Sequence, residues 1–528
     1  MAAPGAVVAD LTAEVPVART LTVADLDGLV DELAAYHAHF APCFARRDQR
    51  AGVELYLRGL LTADVPRKNI EAMALRLLGA GPAADRQVRA LQYCVSAGAW
   101  DDDALLAVQR RLVADTLGEA DGVLLIDGSD IPKQGQHSVG VARQWCGATG
   151  KRDSCQAGVF LGYASRRGST LLDRSLYLPA GWFEAAARER WVAGGIPDGT
   201  PFRTKQELAA RLVERALADQ TLPAQWAVCD AQFGDDQELR DHLARQGLWD
   251  LAEVACTTKL WPLAEPDGQT PRPRPQAWVP PRTPSRKGPA PRRARLQPTS
   301  PATVAVAEWA SQVPPDGWQR YRILEGSKGP LVAEFVAVRA VLVRDRLPGP
   351  EGWLVVRRTL PTAEEPPVYK YYLSNAPADT PLRTLVRVSG LRWPHPEGPR
   401  SCFTEGKSEL GLDHYELRSW RGWHHHMALV ILAHFFLVRL QQRLNQREGG
   451  QRSGPCPVAR PGGLVGGGRD AGAGAAGGGA AEPGRSGPAA AGTAAATGVG
   501  RGRGAGLGGL PAAAQDGRLP LASPAAAP

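Results

Sequence analysis

The chain has 528 residues, 44% of them hydrophobic, which is enough to bury a sizeable core and reads as a globular protein of roughly three domains. Its 62 Lys and Arg against 54 Asp and Glu leave a net charge of +8, which suits a polyanionic partner such as nucleic acid and suits a bland solvated surface equally well. The eight cysteines (43, 94, 146, 155, 229, 256, 402 and 456) form no Cys-x-x-Cys pair, so they outline neither a zinc module nor a disulfide framework and read as reduced, cytoplasmic thiols.

Residues 1–20 contain Asp10 and Glu14 and no sustained apolar run, unlike a secretory signal. The best apolar stretch, Met427 to Val438, is too short to span a bilayer, so no membrane partner is expected.

Residues 21–118 read as a helical domain: Leu26, Leu29, Val30 and Leu33 recur at helical spacing, as do Ala72, Leu75, Leu77 and Leu78. Basic stretches at 45–50 and 66–69, the latter with Arg67 and Lys68, could touch phosphates or simply be solvated. From 119 the character changes. Val123 to Ile126 is a short apolar run ended by Asp127, and Trp226 to Cys229 is another ended by Asp230, as expected of buried strands with polar tips.

Further strands are expected at Val159 to Tyr163 and Leu171 to Leu178, with helices at 204–218 and 236–245. Residues 263–301 are rich in Pro and Arg and read as a loop. A β pattern then fills 321–373, a helix is expected over 421–446, and the Gly/Ala/Arg-rich tail from 449 to 528 is expected to be disordered.

Two strands that each end in an aspartate place paired carboxylates at one edge of a sheet, where α/β folds carry their reactive groups. Such a pair repels unless cations lie between its members, and divalent ions held there can activate water against a phosphodiester. An aspartate at a strand end is also a common turn former or helix cap, so spacing alone leaves both readings open.

The surrounding residues narrow the choice. Leu125-Ile126-Asp127-Gly128-Ser129-Asp130-Ile131-Pro132-Lys133, with His137 to Trp145 and Lys151 to Tyr163, closely resembles the first-aspartate region of insertion-sequence DDE transposases. Val228 to Asp235, Tyr371 to Ala376, and Glu409 to Glu416 running on to Trp423-His424-His425-His426 resemble the same family, in its insertion sequence 701-type branch. The resemblance spans roughly residues 28 to 445.

The resemblance implies an α/β, RNase H-like mixed-sheet core in two parts (119–250 and 376–448), interrupted by a β-rich insertion (251–375). It also implies that Asp127 and Asp230 are the first two carboxylates of a metal-holding triad, with Asp130 the alternative for the first. Mg²⁺, with Mn²⁺ as substitute, is the implied cofactor. Double-stranded DNA (terminal inverted repeats and target) is the implied partner, and a homodimer the implied assembly. Arg392, Lys407, Lys133, Arg143, Arg67 and Lys68 are the candidate DNA contacts.

The third carboxylate departs from the family pattern. Such transposases have an Arg-Trp pair, a Glu four residues after the Arg, and a Lys seven after that Glu. Here Arg392-Trp393 and Lys407 are present, but counting from Arg392 reaches Pro396 and counting back from Lys407 reaches Arg400. Pro394, Pro396, Gly398 and Pro399 oppose a helix at this point. Glu397 is the candidate substitute, with Glu405 behind it. Two functional readings follow: a transposase that cuts and joins DNA in the cytoplasm, or an inactive DNA-binding remnant of one. The three consecutive histidines 424–426 point different ways on a helix, so they read as packing or DNA contact before metal ligation.

Overall fold

A short strand, β1 (Val7–Asp10), precedes five helices, α1 (Leu29–Ala38), α2 (Arg47–Leu61), α3 (Ile70–Leu78), α4 (Pro82–Ser96) and α5 (Asp102–Leu117). The structure is a computed structural model and describes residues 7–11, 28–279, 293–326, 329–360, 366–392 and 402–452. Local chemistry sets the helix limits. The Asn69 side chain accepts from the Ala72 N–H at 2.8 Å to start α3, and Asp101 accepts from the N–H groups of Asp103 and Ala104 to start α5. Val53, Tyr56, Leu57 and Leu60 line the buried face of α2 at the spacing of an amphipathic helix.

The sheet begins with β2 (Val123–Pro132), β3 (Ala142–Cys146), β4 (Lys151–Ser165) and β5 (Gly168–Tyr177). After α6 (Arg188–Gly194) and α7 (Lys205–Leu217), which a reciprocal Thr204–Glu207 cap starts, come β6 (Trp226–Cys229), α8 (Ala231–Gly234), α9 (Gln237–Arg245) and β7 (Trp249–Val254). β4 runs antiparallel to both β2 and β5, while β2, β6 and β7 are parallel. The spatial order β5-β4-β2-β6-β7 is that of an RNase H-like sheet.

The insertion extends this sheet. It comprises β8 (Lys259–Pro262), β9 (Ala277–Trp278), β10 (Arg295–Leu296), β11 (Val304–Ala305), α10 (Val306–Ser311), β12 (Gln319–Gly326), β13 (Gly329–Arg344), β14 (Leu347–Thr359) and β15 (Tyr369–Ser374). β15 pairs antiparallel with β7, and β14, β13 and β12 follow outward, with β1 parallel to β12. A local core of Leu260, Val306, Trp309, Val338, Leu354 and Leu373 supports it. The middle of the Pro/Arg-rich loop, 280–292, lies outside the described residues.

Three further helices follow among the described residues: α11 (Leu382–Arg392), α12 (Cys402–Ser408) and α13 (Trp420–Arg452). Every residue from Met427 to Phe436 is buried, so α13 is a central helix that α2, α4 and α5 wrap. The Tyr56 hydroxyl meets His426 Nδ1 at 2.7 Å, and Gln109 Nε2 donates to the Ile431 carbonyl at 3.2 Å. The N-terminal helices and the sheet therefore share one core. A buried ion network fastens α5 and α7 to β5: Asp173 receives two 2.8 Å bonds from Arg215 and lies 3.6 Å from Arg110, while Arg174 donates to Asp102 and Asp103. Among the described residues no helix is long and apolar enough to cross a membrane. The Gly/Ala/Arg-rich tail beyond Arg452 lies outside them.

Candidate active site

Strand register brings the two sequence-predicted aspartates together. Ile126 pairs with Cys229 on adjacent parallel strands, so Asp127 and Asp230 occupy the next row, about one strand spacing of 4.8 Å apart. Both are half-buried. Asp127 accepts from the N–H of Gly128 at 2.8 Å. Asp230 is the N-cap of α8 and accepts from the Gln232 N–H at 3.1 Å. β2 does not end at Asp127 as the apolar run suggested but continues to Pro132 because it stays paired with β4; Asp127 sits mid-strand just past the last β6 pair, beside the Asp230 cap, at what is hereafter the carboxyl edge.

Asp130 sits on the same strand three residues later, which turns it to the opposite face. There it accepts from the Gly147 N–H at 2.8 Å and lies 3.6 Å from the Lys205 ammonium. The face that carries Asp127 is covered by α11 and α12. A Cβ on Gly162 of β4 would lie 3.0 Å from the Cys402 sulfur, so the first turn of α12 rests directly on the sheet. Burial pushes the Cys402 thiol well above its ordinary range, and the charges of Glu405 and Asp127 push it further.

Glu397 lies outside the described residues. Arg392 is the last residue of α11, and Lys407 is half-buried on α12. Glu405 is engaged elsewhere: its carboxylate is 3.0 Å from His434 Nε2, and His434 Nδ1 is 3.1 Å from the Thr170 hydroxyl. Among the described residues no group of three or more His, Cys, Asp and Glu side chains is close enough to hold a metal ion.

The candidate DNA contacts separate. Arg143 is exposed on β3, and Arg67 is exposed beside Glu416 at 3.5 Å. Lys133 lies with its ammonium 3.7 Å above the Tyr415 ring and 3.1 Å from the Tyr415 carbonyl, and burial, with help from Arg67, lowers its pKa to about 8. Lys68 is only 4% exposed, and its ammonium donates to the carbonyls of Leu60 and Thr62 at 2.6 Å. That geometry closes the end of α2 and commits two of the three ammonium donors to backbone carbonyls.

Sequence reading missed Glu253, which register places in the same row as Asp127 and Asp230 and which is paired with Lys370. It also missed His434, a fully apolar-looking position on α13. No spacing signal marks either residue.

A family model described as DDE superfamily endonuclease matches residues 39–330. The chain belongs to the DDE superfamily of endonucleases. No curated protein matches it. The match includes Asp127 and Asp230 and ends before α11 and α12. For a DDE endonuclease, the donor set fits the implied cofactor in kind: two carboxylates on neighbouring strands are hard oxygen donors, as Mg²⁺ requires.

Proposed function

We propose that this DDE endonuclease is the transposase of an insertion sequence of the 701 type, cutting DNA at the element's terminal inverted repeats and joining the freed ends to target DNA. The observation that carries the reading is the β2–β6 register, whose last pair, Ile126 with Cys229, leaves Asp127 and Asp230 side by side at the carboxyl edge. Asp127, Asp230 and a third carboxylate, Glu397, would hold Mg²⁺ or Mn²⁺. Bound there, the metal supplies Lewis acidity to the scissile phosphate and lowers the pKa of the attacking water.

The protein's own residues do the rest. β2 and β6 hold the acids in step, and the Asp230 cap restricts its rotation. Arg143, Arg67, Lys133, Lys407 and Arg392 would neutralise phosphates along the bound DNA. Two protomers, one per end, act in the cytoplasm on nucleoid DNA. A strand-transfer assay tests this: labelled element ends should appear in a supercoiled target with the wild-type protein, and not with Asp127→Asn or Asp230→Asn. Equal joining by those variants would refute it.

A second reading, a copy that binds DNA without cutting it, is favoured by one observation. Pro394, Pro396 and Pro399 stand where the family's glutamate helix begins. Retained DNA binding with no cleavage at any metal concentration would select this reading.

A further inference from the structure

Strand β3 alternates its side chains. Cys146 is buried, whereas Arg143 and Trp145 face solvent, and the indole is 61% exposed. Trp145 pairs across the hairpin with Arg152, and Arg143 pairs with Ser154. Because directly paired residues share a face, Arg143, Trp145, Arg152 and Ser154 form one outer surface. Arg152 is exposed too, and neither its guanidinium nor that of Arg143 makes a hydrogen bond or ion pair with any described residue. No acidic residue lies on that face of the two paired strands.

The surface is also held in place. The turn of the hairpin donates the Gly147 N–H to Asp130, and Lys205 pairs with the same carboxylate. Asp130 lies three residues beyond Asp127 on β2, about 10 Å along the strand. A large indole left in water between two uncommitted arginines, on a hairpin braced against the catalytic strand, matches the requirements of a stacking platform. The ring takes a base face, and the cations take the flanking phosphates.

We propose that Trp145 stacks on a nucleobase of an unpaired or single-stranded segment of DNA at the carboxyl edge, with Arg143 and Arg152 on its phosphates. Single-stranded DNA is the fitting occupant because a paired base offers its neighbours, not a protein ring, its faces. A second copy of the chain is the alternative occupant, but two exposed arginines with no acid between them would repel their own image. This inference rests on the reading of the chain as a DNA-cutting enzyme.

The test uses the full chain and two fluorescein-labelled probes of random sequence, a 16-nucleotide single strand and a 30-base-pair duplex, followed by anisotropy. Trp145→Ala should weaken single-strand binding roughly tenfold and duplex binding less than about twofold, and Trp145→Phe should restore most of the loss. Arg143→Gln with Arg152→Gln should flatten the logarithmic salt dependence of single-strand binding by up to about 1.4. Unchanged affinity in Trp145→Ala, or an equal loss on both probes, would overturn the proposal. So would a change of sedimentation coefficient in Trp145→Ala without DNA, which would assign the surface to a second copy. A wild-type protein that binds neither probe would instead sink the DNA reading itself. Melting temperatures matching wild type guard against misfolding.

Discussion

Lowering the pH from 7 to 5 should destabilise this protein markedly, because it buries neutral histidines that its unfolded chain would protonate. His425 places Nδ1 2.9 Å from the Val95 carbonyl and Nε2 3.2 Å from the Trp100 carbonyl, with its ring stacked on Trp100. His426 lies between the Tyr56 hydroxyl and the Gly411 carbonyl. Burial pushes both rings down to about 3, outweighing the carbonyl bonds that favour the cation. A folded pKa below the unfolded value of about 6.5 means that the unfolded state binds more protons below that pH.

Stability from these groups is therefore present above pH 6.5 and lost as the pH falls towards 3. From pH 7 to 5 each ring removes about 2 kcal/mol. His424, also held down by burial, acts in the same direction. Asp250 opposes them: burial raises its pKa to about 6, so it favours the folded state on the acid side and returns about 1 kcal/mol over the same range. The net loss is about 3 kcal/mol, to be read as a falling urea midpoint by tryptophan fluorescence at constant ionic strength. His425→Gln and His426→Gln should each remove about two-thirds of this net pH dependence. A midpoint that stays level or rises towards pH 5, or variants as pH-sensitive as wild type, would refute the reasoning.

Asp173→Ala strands Arg215, Arg174 and Arg110 around a buried gap, and should cost about 3–5 kcal/mol by urea unfolding; a loss under about 1 kcal/mol would show the network to be incidental. Gly411 has φ +65°, and an added Cβ would lie 2.8 Å from both Lys68 Cβ and His414 Nδ1, so Gly411→Ala should cost about 1–3 kcal/mol; an unchanged melting temperature would contradict this. Glu397→Gln should abolish cleavage while Glu405→Gln, which loosens His434, should lower thermal stability and leave cleavage measurable; the reverse pattern would reassign the third carboxylate.

The β2–β6 part of the sheet was legible because it contains continuous apolar runs bounded by polar residues, the pattern of a strand buried on both faces. Hence 226–229 appears as β6 and helices 204–218 and 236–245 as α7 and α9, whereas 123–126 is only the first part of β2, which continues through Asp127 to Pro132 because β4 pairs with its polar half. The strands read at 159–163 and 171–178 are the middle and end of the longer β4 and β5, whose polar ends carry no apolar signal.

Long-range register was not legible. Nothing local says that β15 adds to β7, or that Glu253 falls in the row of Asp127 and Asp230. Lys68 read as a surface charge because its burial depends on a carbonyl pair six and eight residues upstream and on the 409–416 segment packed over it. The His424–His426 run read as packing or DNA contact by helix geometry, and His425 and His426 are buried against backbone carbonyls.

The most direct test of the central claim is Mg²⁺- or Mn²⁺-dependent nicking of a labelled duplex carrying the DNA that flanks the gene, with wild-type protein, Asp127→Asn and Asp230→Asn compared side by side. Wild type should make metal-dependent cuts, and each variant should lose at least a thousandfold, roughly the scale of removing a key catalytic group. Cleavage that persists without divalent metal, or that survives either substitution, would contradict it.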